Sequence, residues 1–207
     1  MEFLVWGFSS GAKVIEEVFN KGEPLFKPFM EAIHNYFDKE SKAYKRTKNG
    51  IYSKIYGSSD KNADRTFGVE GATAKINARI PEIKAYAKKK QREVQEKGYI
   101  ITRGGVQLWV ESDEPHKAVS ADVQGHAGWV IGEAMIACHE YLLDHPEIEI
   151  IMQIHDELIF EGPIGFHQVH GDQLAKCISL AGVKFGIPTP VNKSLITDNW
   201  ANAKPLT

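Results

Sequence analysis

Cysteine is scarce in this sequence. Cys138 and Cys177 stand alone, without the spacing that holds a metal, and read as buried thiols in a reducing compartment. Long apolar runs are missing as well. The opening MEFLVWGF is apolar but short and has no basic lead-in, so it is neither a signal peptide nor a membrane span. It reads as the start of a strand or helix caught in mid-element. Internal repeats and low-complexity tracts are absent. A strong charge of one sign is absent too: a net −2 over 207 residues does not advertise a polyanion partner. Basic residues are nearly missing from one long stretch, since Lys117 is the single Lys or Arg between Glu111 and Asp172.

What is present is ordinary in bulk and uneven in place. Hydrophobic content of 43% and charged content of 25% suit a globular protein of one or two domains with a real core. Lys39, Lys42, Lys45, Arg46, Lys48 and Lys54 cluster early, and Lys88, Lys89, Lys90 and Arg92 follow. A basic part and an acidic part fit a protein that grips phosphate with one and metal with the other. The plainer reading is two solvated helix faces.

Helices are expected over Val14–Asn20, Phe29–Phe37 and Lys39–Tyr56, the last weakened by Gly50, which costs about 1 kcal/mol against alanine. Pro81 opens another helix, with Ile83, Tyr86, Ala87, Lys90 and Val94 on one face and Gly98 as its stop. GYIITRGGVQLWVES reads as a hairpin. A long helix follows from about Pro115 to Asp144, thinned by Gly125, Gly128 and Gly132, where another backbone or a ligand can approach. IMQIHDELIFE reads as two strands around a tight reversal. A helix from Gln173 to Phe185 and an extended tail close the chain. This order predicts an α+β fold with an antiparallel sheet.

Three stretches carry possible chemistry. Tyr44, Lys48, Tyr52 and Tyr56 are spaced by four and form one helical stripe. A cation among aromatic rings suits a nucleotide, the lysine meeting phosphate and a ring stacking on base or sugar. The bland alternative is an amphipathic core helix with a lysine reaching out to solvent. Gln124, on a glycine-thinned helical face, can donate to base or sugar edges in a minor groove, although an ordinary surface glutamine looks the same. At the hairpin tip, His155, Asp156 and Glu157 gather. Two-metal phosphoryl chemistry needs oxygen ligands around cations about 4 Å apart, and Asp156 can be one. Turns favour Asp in any case.

Together these stretches are far more specific than singly. IHDELIFE resembles the third signature of family A DNA polymerases, the group of bacterial polymerase I and the T7-like phage enzymes. VQGHAGWVIGEAMI resembles the helix before it, YKRTKNGIYSKIYG the fingers helix, IPEIKAYAKKKQREVQEKGYIITRGG the connector from fingers to palm, and DNWANA the usual carboxyl terminus. MEFL resembles the second half of the first signature. The resemblance implies a helical fingers subdomain plus a partial palm with an antiparallel sheet. Residues 1–19 would end the first palm motif, residues 20–98 form the fingers and residues 99–207 form the palm with its catalytic hairpin.

The resemblance also implies roles. Asp156 would be the metal ligand and Glu157 its acidic neighbour, around two Mg²⁺ ions. Lys48 would contact the triphosphate of the incoming dNTP. Tyr52 and Tyr56 would flank that nucleotide, and Glu2 would crowd the 2′ side of its sugar. Gln124, His155 and His116 would contact primer–template DNA. The family's arginine at the start of the fingers helix falls on Tyr44, so Lys45 or Arg46 would have to serve, and a family asparagine falls on Ser120. The first catalytic aspartate would precede Met1, so the chain would begin inside a catalytic strand. The expectation is therefore the carboxyl-terminal part of a split polymerase, completed by an upstream chain carrying that first motif and the thumb. The alternative is an inactive remnant that binds primer–template without chemistry. Tyr52 and His116 point to a bacteriophage origin, and the setting would be the cytoplasm, of the host if phage-encoded, with no membrane partner.

Overall fold

The computed structural model describes residues 1–206. They form two compact units, one of Glu2–Gly125, the other of Met1 with the residues from His126 onward. No helix among the described residues is long and apolar enough to cross a membrane.

The first unit is mostly helical. Its opening element is α1 (Glu2–Ser10), a helix and not part of a strand. Phe3, Leu4, Val5 and Trp6 are buried in succession, which a helix enclosed on all sides achieves and an alternating strand does not. Gly11 ends it at φ 71°. α2 (Lys13–Asn20) packs against α1 at Gly7, where a Cβ would stand 2.6 Å from Ile15. α3 (Lys27–His34) stops short of Phe37 because Asn35 takes the left-handed conformation, a common helix terminator. α4 (Lys42–Ile55) starts later than Lys39 because the Ser41 hydroxyl accepts from the Tyr44 N–H at 3.1 Å and caps it there.

Two further helices, α5 (Asp60–Phe67) and α6 (Ala72–Arg79), fill a stretch whose composition had signalled none. α7 (Glu82–Lys97) follows Pro81 and stops at Gly98, burying Ile83, Tyr86, Lys90 and Val94. β1 (Tyr99–Ile101) and β2 (Gln107–Trp109) pair antiparallel, with Ile100 opposite Leu108. A 3₁₀ turn, Pro115–Lys117, leads into α8 (Ala118–Leu142). Val94, Ile100 and Ala118 share one apolar cluster with Leu108.

The second unit holds the rest of α8, the hairpin β3 (Glu149–Ile154) and β4 (Glu157–Glu161), α9 (Phe166–Lys184), and a short pair, β5 (Lys193–Leu195) with β6 (Lys204–Leu206). α9 begins at Phe166 and not at Gln173, just after Gly165 at φ 90°. Its first turns carry histidines and half-exposed residues, so they showed no apolar period. Cys138, Leu142, Ile148 and Leu174 form the core of this unit, and Ile150, Leu158 and Phe160 of the hairpin pack on it. The antiparallel pairs and the helical majority make the chain α+β, as the element order predicted.

Candidate functional site

In the first unit, α4 presents Tyr44, Lys48 and Tyr52 along one face, and Tyr56 caps its end. The rings are half-buried around Phe26, which lies 6.2 Å from Tyr44 and 6.0 Å from Tyr52 between ring centroids. Phe3 stacks on Phe26 at 4.4 Å, and Tyr52 stacks on Tyr56 at 6.2 Å. This aromatic layer gives the tyrosines fixed positions. Lys45 and Lys48 are exposed and make no ion pair among the described residues. The stripe therefore has the form of an amphipathic core helix: the rings support the core, and the cations are left to solvent.

Glu2, Tyr56 and Gln124 come together in this unit. The Tyr56 hydroxyl donates to Glu2 Oε2 at 2.6 Å, and the Gln124 amide donates to the same phenol oxygen. Burial, then the Glu2 carboxylate, push the Tyr56 pKa well above its ordinary value, so the phenol keeps its proton and its role as donor. That bond holds the Glu2 side chain in one place. At the end of α4, buried Lys54 donates to the Ser58 carbonyl at 2.9 Å and to Asp60 at 2.6 Å, tying the helix end to α5. His116 lies exposed in the 3₁₀ turn ahead of α8.

Sequence reading missed one network. Tyr86, Lys90 and Asp122 are buried together: the Tyr86 hydroxyl donates to Asp122, Lys90 Nζ lies 3.3 Å from its other oxygen, and Lys90 also donates to the Ile101 carbonyl at 2.7 Å. The network anchors α8 to α7 two positions before Gln124. Burial and the Asp122 charge raise the Tyr86 pKa well above its ordinary value. The available signal was Lys90, a cation on an otherwise apolar helix face. Gly125, nearby on α8, packs on β2 instead, since a Cβ there would lie 2.3 Å from Leu108. Gly128 and Gly132, by contrast, face open space.

In the second unit, the β3–β4 hairpin turns on just His155 and Asp156, with Ile154 opposite Glu157. His155 takes φ 51°, a left-handed conformation that costs a non-glycine residue about 1 kcal/mol or more. Gln153 Nε2 donates to the His155 carbonyl at 2.7 Å and holds the turn. A bulge at Ile151 breaks the register between Ile150 and Met152. His155, Asp156 and Glu157 are all exposed at the tip. Asp156 Oδ2 accepts the Met1 ammonium at 3.0 Å while its side chain stays 52% exposed. Burial alone would raise the Asp156 pKa. The hydrogen bond and charge of the Met1 ammonium, with backbone donation and the His155 charge, outweigh it and hold the carboxyl below its usual range. Asp156 is thus an accessible carboxylate, anionic at neutral pH, that accepts a cation without leaving solvent.

The family model described as DNA polymerase family A matches residues 1–202. Among curated proteins, the chain is similar to DNA polymerase I of Helicobacter pylori, 26% identical over 176 residues, covering 78% of this chain and 20% of that protein. It is likewise 26% identical over 172 residues to DNA polymerase I of Bacillus subtilis, covering 75% of this chain and 20% of that one. The chain thus spans about a fifth of the length of these relatives. Its fold matches a structure described as the POL domain of Pol1 from M. smegmatis in complex with DNA primer-template and dNTP. The TM-score is 0.76 at 23% identity, over 87% of this chain and 35% of that one.

Proposed function

The chain belongs to DNA polymerase family A, and from that premise we propose that it is the carboxyl-terminal fingers and palm portion and takes part in template-directed DNA synthesis, as a DNA-directed DNA polymerase. On this reading residues 20–98 are the fingers, and residues 1–19 and 99–207 contribute the palm. Its setting is the cytoplasm.

The residues divide the work. Asp156 would hold divalent metal, with Glu157 as its acidic neighbour. Its hard oxygen, exposure and anionic state fit Mg²⁺. When bound, two such ions supply Lewis acidity at the primer 3′-hydroxyl and charge at the leaving pyrophosphate. Lys48 meets the triphosphate as a mobile cation, and Lys45 adds charge at the same helix. Tyr52 and Tyr56 flank the incoming nucleotide. Glu2, held by the Tyr56 hydroxyl, crowds the sugar's 2′ position and disfavours ribonucleotides. Gln124, His116 and His155 contact primer–template.

Two-ion chemistry draws its carboxylates from separate elements. We place the second one on polypeptide outside these 207 residues, together with the thumb. An exposed apolar set in the second unit supports further covering chain: Trp129, Met135, Ile136, Ile151 and Met152 all lie open.

The observation that carries the reading is Asp156, an ionised carboxylate at the tip of a hairpin pinned by a packed core. The test is Mg²⁺-dependent primer extension by this chain mixed with the complementary polymerase portion. Asp156→Ala is expected to lower the rate by more than about 100-fold, since even outer-shell groups of metal sites are worth 10–100-fold. Extension that survives this substitution overturns the assignment. If the wild-type pair binds primer–template yet extends nothing, the chain is a DNA-binding remnant.

A further inference from the structure

His145, Glu147 and His170 bring one ligand atom each to within 4.8 Å of one another, away from the hairpin tip and within the second unit. His145 and Glu147 lie in the turn between α8 and β3, and His170 lies on α9. We propose that these three residues form a zinc site that staples the root of the β3–β4 hairpin to α9.

The donor set suits a borderline divalent transition ion, and zinc is the one proposed. Two imidazoles and one carboxylate are the donors Zn²⁺ takes in three-ligand sites, with a fourth position left for water. The carboxylate is exposed and the imidazoles are half-buried, so the ion has a route in and a partly dry seat. A supporting contact is already made. The Tyr141 hydroxyl lies 2.8 Å from His170 Nδ1, which holds the ring in place. The His145 ring is packed 4.8 Å from Tyr141 and 4.4 Å from His170 between centroids, so both imidazoles are held by neighbours.

Tetrahedral bonds of about 2.0 Å put donors roughly 3.3 Å apart. The set must therefore contract slightly, and Glu147, exposed on a turn, is free to move inward. No Lys or Arg occurs along the chain from Ala118 to Ala175, and Lys193, which packs beside Gly171, is paired with Asp172. The turn that carries His145 and Glu147 runs straight into Ile148, a core residue packed with Leu174 of α9. An ion here would close the same contact from outside.

The experiment is calorimetric titration of the chelator-stripped chain with zinc chloride. It is paired with thermal melts and X-ray absorption at the zinc edge. Expected are one saturable site per chain, a melting temperature that rises with zinc, and a nitrogen/oxygen shell near about 2.0 Å. Asp156→Asn should leave this uptake unchanged, which separates it from the polymerase assignment. His145→Ala and His170→Ala should abolish it, and Tyr141→Phe should weaken it by about tenfold. Glu147→Gln, at an exposed position that does not risk the fold, should weaken it at least as much. Any of three outcomes overturns the site: no saturable uptake at submillimolar zinc, uptake unchanged in both His170→Ala and Glu147→Gln, or a sulfur shell near about 2.3 Å that moves the ion to the cysteines.

Discussion

Gly50 sits in the middle of α4, where glycine is a poor choice on propensity alone. Its reason lies in α5. A Cβ at Gly50 would meet three ring carbons of Phe67 at 2.3 to 2.6 Å, and that ring is wholly buried. Alanine would gain about 1 kcal/mol of helix propensity. Overpacking against a ring with nowhere to go costs about 1–3 kcal/mol. With three ring carbons inside contact distance the cost lies toward the upper end, so Gly50→Ala is expected to lower the urea midpoint by an amount equivalent to up to about 2 kcal/mol at unchanged slope. A raised midpoint would mean that Phe67 yields. The sequence signalled only the cost of this glycine. Its partner, seventeen positions away in a polar stretch, could not be read from local pattern.

Among the elements, α6 shows how a helix without its own cap is started by a neighbour. Gly71 precedes it and offers no side chain. Asp64, on α5, accepts from the Gly71 N–H at 3.0 Å and the Thr73 N–H at 2.7 Å. Burial pushes the Asp64 pKa up, but these donors and the Thr73 hydroxyl outweigh it and leave the pKa below its ordinary value. A depressed folded pKa gives stability that is complete above the unfolded value of about 3.9 and is lost as pH falls through the folded one. Asp64→Ala should therefore cost about 1 kcal/mol at neutral pH, as other lost caps do. The gap to wild type should close as pH drops below about 4. Denaturant midpoints across that range test the sign: a gap that widens with acid would refute it. A capping carboxylate seven residues upstream leaves no motif that a scan for local caps would catch.

For the molecule as a whole, the decisive feature of the larger unit is the buried charge. Asp122 is fully buried and Lys90 nearly so: one Asp122 oxygen accepts from Tyr86, the other lies 3.3 Å from the Lys90 ammonium as an ion pair without a hydrogen bond, and Lys90 donates to the Ile101 carbonyl. Removing one partner strands the other, so Asp122→Ala is expected to cost about 3–5 kcal/mol. The double change Lys90→Met with Asp122→Leu should cost much less, because the one carboxylate it leaves without Lys90, Glu93, is partly solvated and not fully buried. Equal losses in the single and double variants would show that the pair is not coupled. This network also positions Gln124, so the loss of order should extend to the residues proposed to touch DNA. The smaller unit depends on a two-stranded hairpin that is marginal without its packing on α8 and α9.

By itself the sequence determined the order of helices and hairpins, the α+β class and the family. Those follow from local quantities: apolar spacing along a helix, turn residues at hairpins, and signature strings in a set order. It also marked Asp156, Lys48 and Tyr52 by residue type and neighbourhood. Only the tertiary structure decided which distant groups meet. Tyr56 reaches Glu2 across 54 positions, Tyr86 reaches Asp122 across 36, and His170 joins His145 and Glu147 around a turn. Such contacts depend on how helices pack, and one chain's periodicity carries no record of the partner's position.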